Sequence, residues 1–187
     1  MRARNDIDRQ PVVFDWYIYL MLESALTELW LAKGDLQRAR TEAKRFLQLT
    51  LATAERTWQA LAWEANARIA IAEVDLEGAR DCTAKALSTM EGFEVPLAAW
   101  RVHATAAELF ARSGDNHLVE HHRQVSCATI MKLANSLGPE APLRTTFLSA
   151  PSVRKILGNA EATGGTTADA RSSSSTKRVR KPAPRRS

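Results

Sequence analysis

Three segments of the chain repeat one pattern at an interval of 40 residues. They are residues 25–40 (ALTELWLAKGDLQRAR), 65–80 (ANARIAIAEVDLEGAR) and 105–120 (TAAELFARSGDNHLVE). A shift of 40 superposes Asp35, Asp75 and Asp115, then Leu29, Ile69 and Leu109, then Ala39, Ala79 and Val119. A repeat of this length indicates small structural units that bury their apolar sides against one another, so it constrains the fold more than any other feature.

Each repeated unit is predicted to be a helix, a tight turn and a second helix. Ala, Leu and long charged residues prevail on both sides of the turn, and these residues favour helices. Gly34 and Gly114 can take the left-handed conformation that ends a helix, and the aspartate that follows can cap the next one. Val74 replaces the glycine in the second unit, so its turn is less well specified. We therefore expect an all-α protein, an α-solenoid of three antiparallel helix pairs.

The predicted domain runs from residue 15 to residue 157. Helices are expected near 15–33, 35–53, 55–73, 75–91, 96–113 and 115–137, grouped into repeats of about 15–54, 55–94 and 95–137. Two short helices within 138–157 are expected to cover the last repeat, because stacked repeats need an end cover. Residues 1–14 form a lead, and 158–187 are too poor in apolar side chains to fold, which predicts a disordered tail.

The positive charge of the chain is concentrated in this tail. Residues 151–187 hold 9 Lys or Arg and 2 Asp or Glu, whereas the first 150 residues hold 17 and 19. The basic tail residues are Lys177, Arg178, Arg180, Lys181, Arg185 and Arg186. They could contact nucleic-acid phosphates without reading sequence, so a nucleic-acid-associated regulator is one alternative function. A solvated end without a specific role is the other interpretation of the tail.

The first predicted helix is apolar on nearly every side, from Phe14 to Leu22. A terminal repeat that faces water should carry a polar outer face, so this helix is expected to pack on something else. The candidates are a second copy of the chain or further repeats upstream; the alternative is that residues 1–13 fold back over it. No apolar run is long enough to span a membrane, and no secretory signal core is present, which predicts a cytoplasmic protein without membrane contact.

The helix-turn-helix unit resembles the tetratricopeptide repeat (TPR) family. Small residues of its first helix correspond to Thr27, Ala67 and Ala107, its large aromatic position to Trp30 and Phe110, and the small residue of its second helix to Ala39 and Ala79. Ala70 departs from the aromatic position, and the period of 40 exceeds the usual ~34 residues. The longer period is typical of the variety found in large bacterial signalling ATPases and ATP-dependent transcriptional regulators.

The resemblance extends over residues 15–157 to the C-terminal repeat region of such multidomain proteins. It is carried by LTELWLAKGDLQRAR, ATAERTWQALAWEANARIA, MEGFEVPLAAWRVHATAAELFARSGD and LRTTFLSAPSVRKIL. The resemblance implies a protein-interaction scaffold that acts in signal transduction and not the ATPase itself, because the chain has no GxxxxGK[ST] phosphate-binding loop. In TPR stacks the first helices line a groove for a protein or peptide segment, which implies a partner-binding role for Glu28, Glu64, Arg68, Arg101, Glu108 and Arg112.

Few residues suggest catalysis. His117-Leu118-Val119-Glu120-His121 matches the H-x-x-E-H zinc-protease motif, with Glu120 as the base, so a zinc hydrolase is a remote alternative. The equivalent positions of the other repeats, 37–41 and 77–81, are expected to be exposed, which favours a solvated polar face here as well. His103 lies on the fifth predicted helix, where its side chain is expected either to pack against neighbouring residues or to line the groove. Catalytic residues, a metal and a cofactor are therefore not expected.

Overall fold

The computed structural model describes residues 15–139 and 141–158, and all regular structure in these residues is α-helical. The helices are α1 (Asp15–Ala32), α2 (Leu36–Leu51), α3 (Arg56–Ala72), α4 (Leu76–Met90), α5 (Pro96–Ser113), α6 (Asn116–Ser136), α7 (Pro142–Ser149) and α8 (151–158). The prediction of an all-α protein is confirmed. The first six helices begin and end within two residues of the bounds expected from the sequence.

The three repeated turns share one geometry. Gly34 and Gly114 have φ of 74° and 79°, and Val74 adopts the same left-handed conformation with φ of 63°. In each turn the next residue is an aspartate, and its backbone N–H donates a hydrogen bond to a carbonyl oxygen of the preceding helix, with N–O distances of 2.9 to 3.1 Å. Its carboxylate accepts a hydrogen bond from the backbone N–H three residues later, at 3.1 Å in α2, 2.9 Å in α4 and 3.1 Å in α6. The aspartate therefore ends one helix and caps the next.

The helices pack as three antiparallel pairs, α1–α2, α3–α4 and α5–α6. Consecutive pairs contact each other because α3 lies against α1 and α2, and α5 lies against α3 and α4. Alanines make these approaches close: Ala60, Ala86 and Ala98 are fully buried in one cluster between the second and third pairs. Leu20 and Phe46 contribute larger side chains to the cluster between the first two pairs. Each pair thus completes its core against its neighbour.

The two short helices α7 and α8 follow the third pair. Val153 of α8 is buried, and the Cys127 thiol of α6 lies 3.9 Å from the Ile156 carbonyl oxygen. The last pair is thereby covered by α8, while Leu143 of α7 stays exposed. Within the described ranges, no helix is both long and apolar enough to cross a membrane.

Candidate functional site

A cavity of about 550 Å³ lies along the first helices of the three pairs. Five of the six groove residues expected from the TPR resemblance line it: Glu28 of α1, Glu64 and Arg68 of α3, and Arg101 and Glu108 of α5. The sixth, Arg112, lies beside them and pairs with Glu108 at 3.1 Å. Glu28, Arg68 and Glu108 stand 40 residues apart, so the repeat places these three at equivalent sites on neighbouring helices.

Glu28 links all three pairs through its carboxylate. Arg68 Nη1 donates to Glu28 Oε1 at 2.6 Å, and Arg101 Nη2 donates to the same oxygen. Burial of Glu28 opposes its ionisation, but the positive charges and hydrogen bonds of the two arginines outweigh this effect and lower its pKa. Glu28 is therefore a fixed anion that connects α1 to α3 and α5.

Glu64 is the buried member of the network, with 2 % of its surface exposed. Thr105 donates its hydroxyl to Glu64 Oε1 at 2.8 Å, and Arg101 Nη2 lies 3.4 Å from Oε2. Arg68 Nε lies 3.7 Å from Glu64 Oε1. Burial of Arg68 opposes its charge, but Glu64 and Glu28 raise its pKa, so the guanidinium stays charged. A buried carboxylate is tolerated here because it is surrounded by donors and opposite charge.

Small and apolar side chains make up another part of the lining. Ala104, Ala107 and Ala111 of α5 give it a surface of small side chains beside Trp100. Ser126 and Arg123 of α6 and Ser152, Lys155 and Ile156 of α8 complete the lining. Two basic residues, Arg123 of α6 and Lys155 of α8, therefore belong to the lining. The site offers both a charged and an apolar contact surface.

The sequence did not reveal how these charges are used. Ion pairs across helices connect Glu28, Glu64, Arg68 and Arg101, whereas the resemblance implied only that these residues line a partner-binding groove. Thr105 was not identified from the sequence, although it stands 40 residues from Ala65 at a position where the other repeats have Ala. A hydroxyl among small residues of a repeat is the one signal that could have indicated it.

A second polar cluster connects α5 to α6. His103 Nδ1 and His122 Nδ1 lie 2.8 Å apart, and the Phe110 ring stacks on His122 with 5.4 Å between ring centroids. Burial, together with the neighbouring His122 and His121, lowers the pKa of His103 to about 4. Burial and His121 also lower the pKa of His122. The pair is accordingly held neutral, with one ring donating to the other.

The H-x-x-E-H residues do not converge with further ligands. His117, Glu120 and His121 are exposed on α6, as their repeat positions predicted. No group of three or more His, Cys, Asp or Glu side chains that could hold a metal ion occurs in residues 15–139 and 141–158.

The basic residues 177–186 and the lead 1–14 lie outside the described residues, so the structure places neither the proposed nucleic-acid contacts nor a fold-back over α1. In comparisons with known proteins, neither a family model, nor a curated protein, nor a solved structure matches the chain.

Proposed function

We propose that the chain is a non-catalytic interaction module, a TPR-type α-solenoid whose groove binds a segment of another protein. The observation that carries this proposal is the cavity shared by α1, α3 and α5, which no single pair could form. A site assembled from equivalent positions of successive repeats suits an elongated ligand, because each repeat adds a similar contact along the same direction.

The lining favours a peptide with an acidic side chain next to apolar ones. The carboxylates of Glu28 and Glu64 are already paired with arginines, whereas Lys155 of α8 adds a further positive charge to the lining. Ala104 leaves room for the ligand backbone, and Trp100 supplies an aromatic surface for an apolar side chain. A peptide carboxylate towards Lys155 then compensates the basic side of the groove.

We further propose that the chain is a segment of, or relative to, a bacterial signal-transduction ATPase or transcriptional regulator. The 40-residue period and the resemblance over residues 15–157 support this placement. In that setting, the module contributes recognition while another domain supplies nucleotide chemistry.

The groove can be tested with peptides displayed on phage. Random peptides are selected on the full chain, and the affinity of each selected peptide is then measured for the chain and for two matched variants. Ala104→Trp fills the cavity, whereas Ala84→Trp places the same side chain on the exposed surface of α4. We expect Ala104→Trp to weaken binding roughly tenfold or more and Ala84→Trp to leave it unchanged.

Two results contradict the groove proposal. One is a selection that yields no peptide with reproducible affinity. The other is a set of peptides that bind Ala104→Trp as tightly as the unsubstituted chain, since such ligands contact another surface. An enrichment of acidic residues among the selected peptides, lost with Lys155→Glu, supports the proposed charge pattern.

A further inference from the structure

The outer face of α1 is apolar and exposed. Ile18, Met21 and Leu29 are 45 %, 51 % and 44 % exposed, and Ala25 lies exposed between them. These residues, together with Ala32, recur every three or four positions and form one stripe along the helix, which we call the α1 stripe. Leu20, Glu23 and Thr27 lie buried on the opposite side, against α2 and α3.

The repeat shows what kind of surface the α1 stripe is. Forty residues later, Ala65 and Ile69 of α3 are buried, with 4 % and 3 % of their surface exposed. Ile69 packs on Ala39 and Ala43 of the preceding pair. The α1 stripe therefore continues an established packing interface of this fold, at the one pair for which the described residues provide no preceding neighbour.

We propose that the α1 stripe binds the α1 stripe of a second copy of this chain, in an antiparallel arrangement around a two-fold axis near Ala25. This inference does not rest on the proposed peptide groove. A head-to-tail stack of copies is disfavoured because α8 already covers the last pair and buries Val153. A face that pairs with itself gives a closed dimer.

The size of the stripe residues fits this arrangement. Ala25 at the centre permits the close approach of two helix backbones. Ile18, Met21 and Leu29 of the stripe and the adjacent Tyr17 are each about half exposed, and with the alanines they leave roughly 400–500 Å² per chain. Two copies would bury about 900 Å², the range of a weak, reversible dimer.

The first test is the mass of the full chain, measured by analytical ultracentrifugation over a wide concentration range. We expect a monomer–dimer equilibrium that Met21→Glu weakens roughly tenfold or more, because a carboxylate would enter an apolar interface. Leu143→Glu on α7 is the matched control, since Leu143 is also an exposed apolar residue but lies far from the stripe in sequence. It should leave the equilibrium unchanged.

The second test fixes the geometry with disulfides. In a chain with Cys82 and Cys127 replaced by Ser, Ala25→Cys lies on the two-fold axis and should link two chains, because its Cα atoms fall within the about 4–7 Å that a disulfide spans. Ala32→Cys lies at the end of the stripe and should not link. A monomer at every concentration, a dimer indifferent to Met21→Glu, or equal linkage by both cysteines overturns the proposal.

Discussion

Val74 adopts a backbone conformation that a β-branched residue normally avoids. Its φ is 63°, at the position where the other two turns have glycine. A left-handed conformation costs an L-residue about 1–2 kcal/mol, and branching at Cβ places Val at the upper end of this range. Glycine removes this strain but loses about 0.5–1 kcal/mol through the greater freedom of the unfolded chain. We therefore expect Val74→Gly to raise the free energy of unfolding by about 1 kcal/mol.

The Val74 side chain contributes little that could be lost, because 72 % of its surface is exposed. The gain should appear in urea denaturation followed by circular dichroism, as a higher midpoint with an unchanged slope. In a thermal scan, it corresponds to roughly 2–4 °C for a chain of this size. The assay therefore reports on the turn itself and not on changes in packing.

The reciprocal variant supplies the control. A Cβ added at Gly34 meets no atom within 4 Å, so Gly34→Val introduces strain without a clash and should destabilise the chain by a similar amount. Val74→Ala retains the left-handed cost of a Cβ and should change stability by less than Val74→Gly. If Val74→Gly lowers the unfolding free energy instead, the strain argument is wrong and the Val74 side chain must stabilise the turn.

Three further outcomes can be measured by the same unfolding assay. Glu64→Gln should lower the free energy of unfolding by about 2 kcal/mol, because it removes the buried charge between two arginines. Glu91→Gln at an exposed site should change the free energy of unfolding by no more than about 0.5 kcal/mol. Asp75→Ala removes the cap of α4 and should cost about 1 kcal/mol, against no measurable change for an exposed site such as Arg80→Ala. His103 has its pKa lowered from 6.5 to about 4 in the folded chain, so the unfolded chain binds more protons between these values. The free energy of unfolding therefore has its full value above pH 6.5 and falls by about 1–2 kcal/mol towards pH 4.5, after allowance for the partial exposure of the His103 ring. His103→Phe should remove this part of the pH dependence.

Local features of the fold could be predicted because they depend on neighbouring residues. Gly34 and Asp35 mark a helix end and a helix start without reference to the rest of the chain, and the 40-residue shift then locates the other turns. The groove residues were implied by the TPR resemblance, and five of the six line one cavity. At Val74 the tertiary structure imposes the geometry of a glycine turn on a residue that does not favour it.

Specific partners could not be predicted, because they depend on distances between helices. The sequence indicates neither that Arg101 reaches Glu28 across 73 positions nor that His122 meets His103 at 2.8 Å. His122 was not predicted as a site residue because the motif directs attention to His117 and His121. Of these three histidines, His122 is the buried one. A one-residue rotation on a helix changes a side chain from exposed to enclosed, and a repeat pattern alone does not resolve that difference.

The bond between Arg101 and Glu28 has a mechanical consequence. In a linear array of helical hairpins, each unit is coupled only to the adjacent units, so the ends can melt while the centre stays folded. Here a side chain of the third unit holds the first one directly, across the second. Separation of the first pair from α5 breaks this bond, so we expect the first and third pairs to unfold together in a single transition.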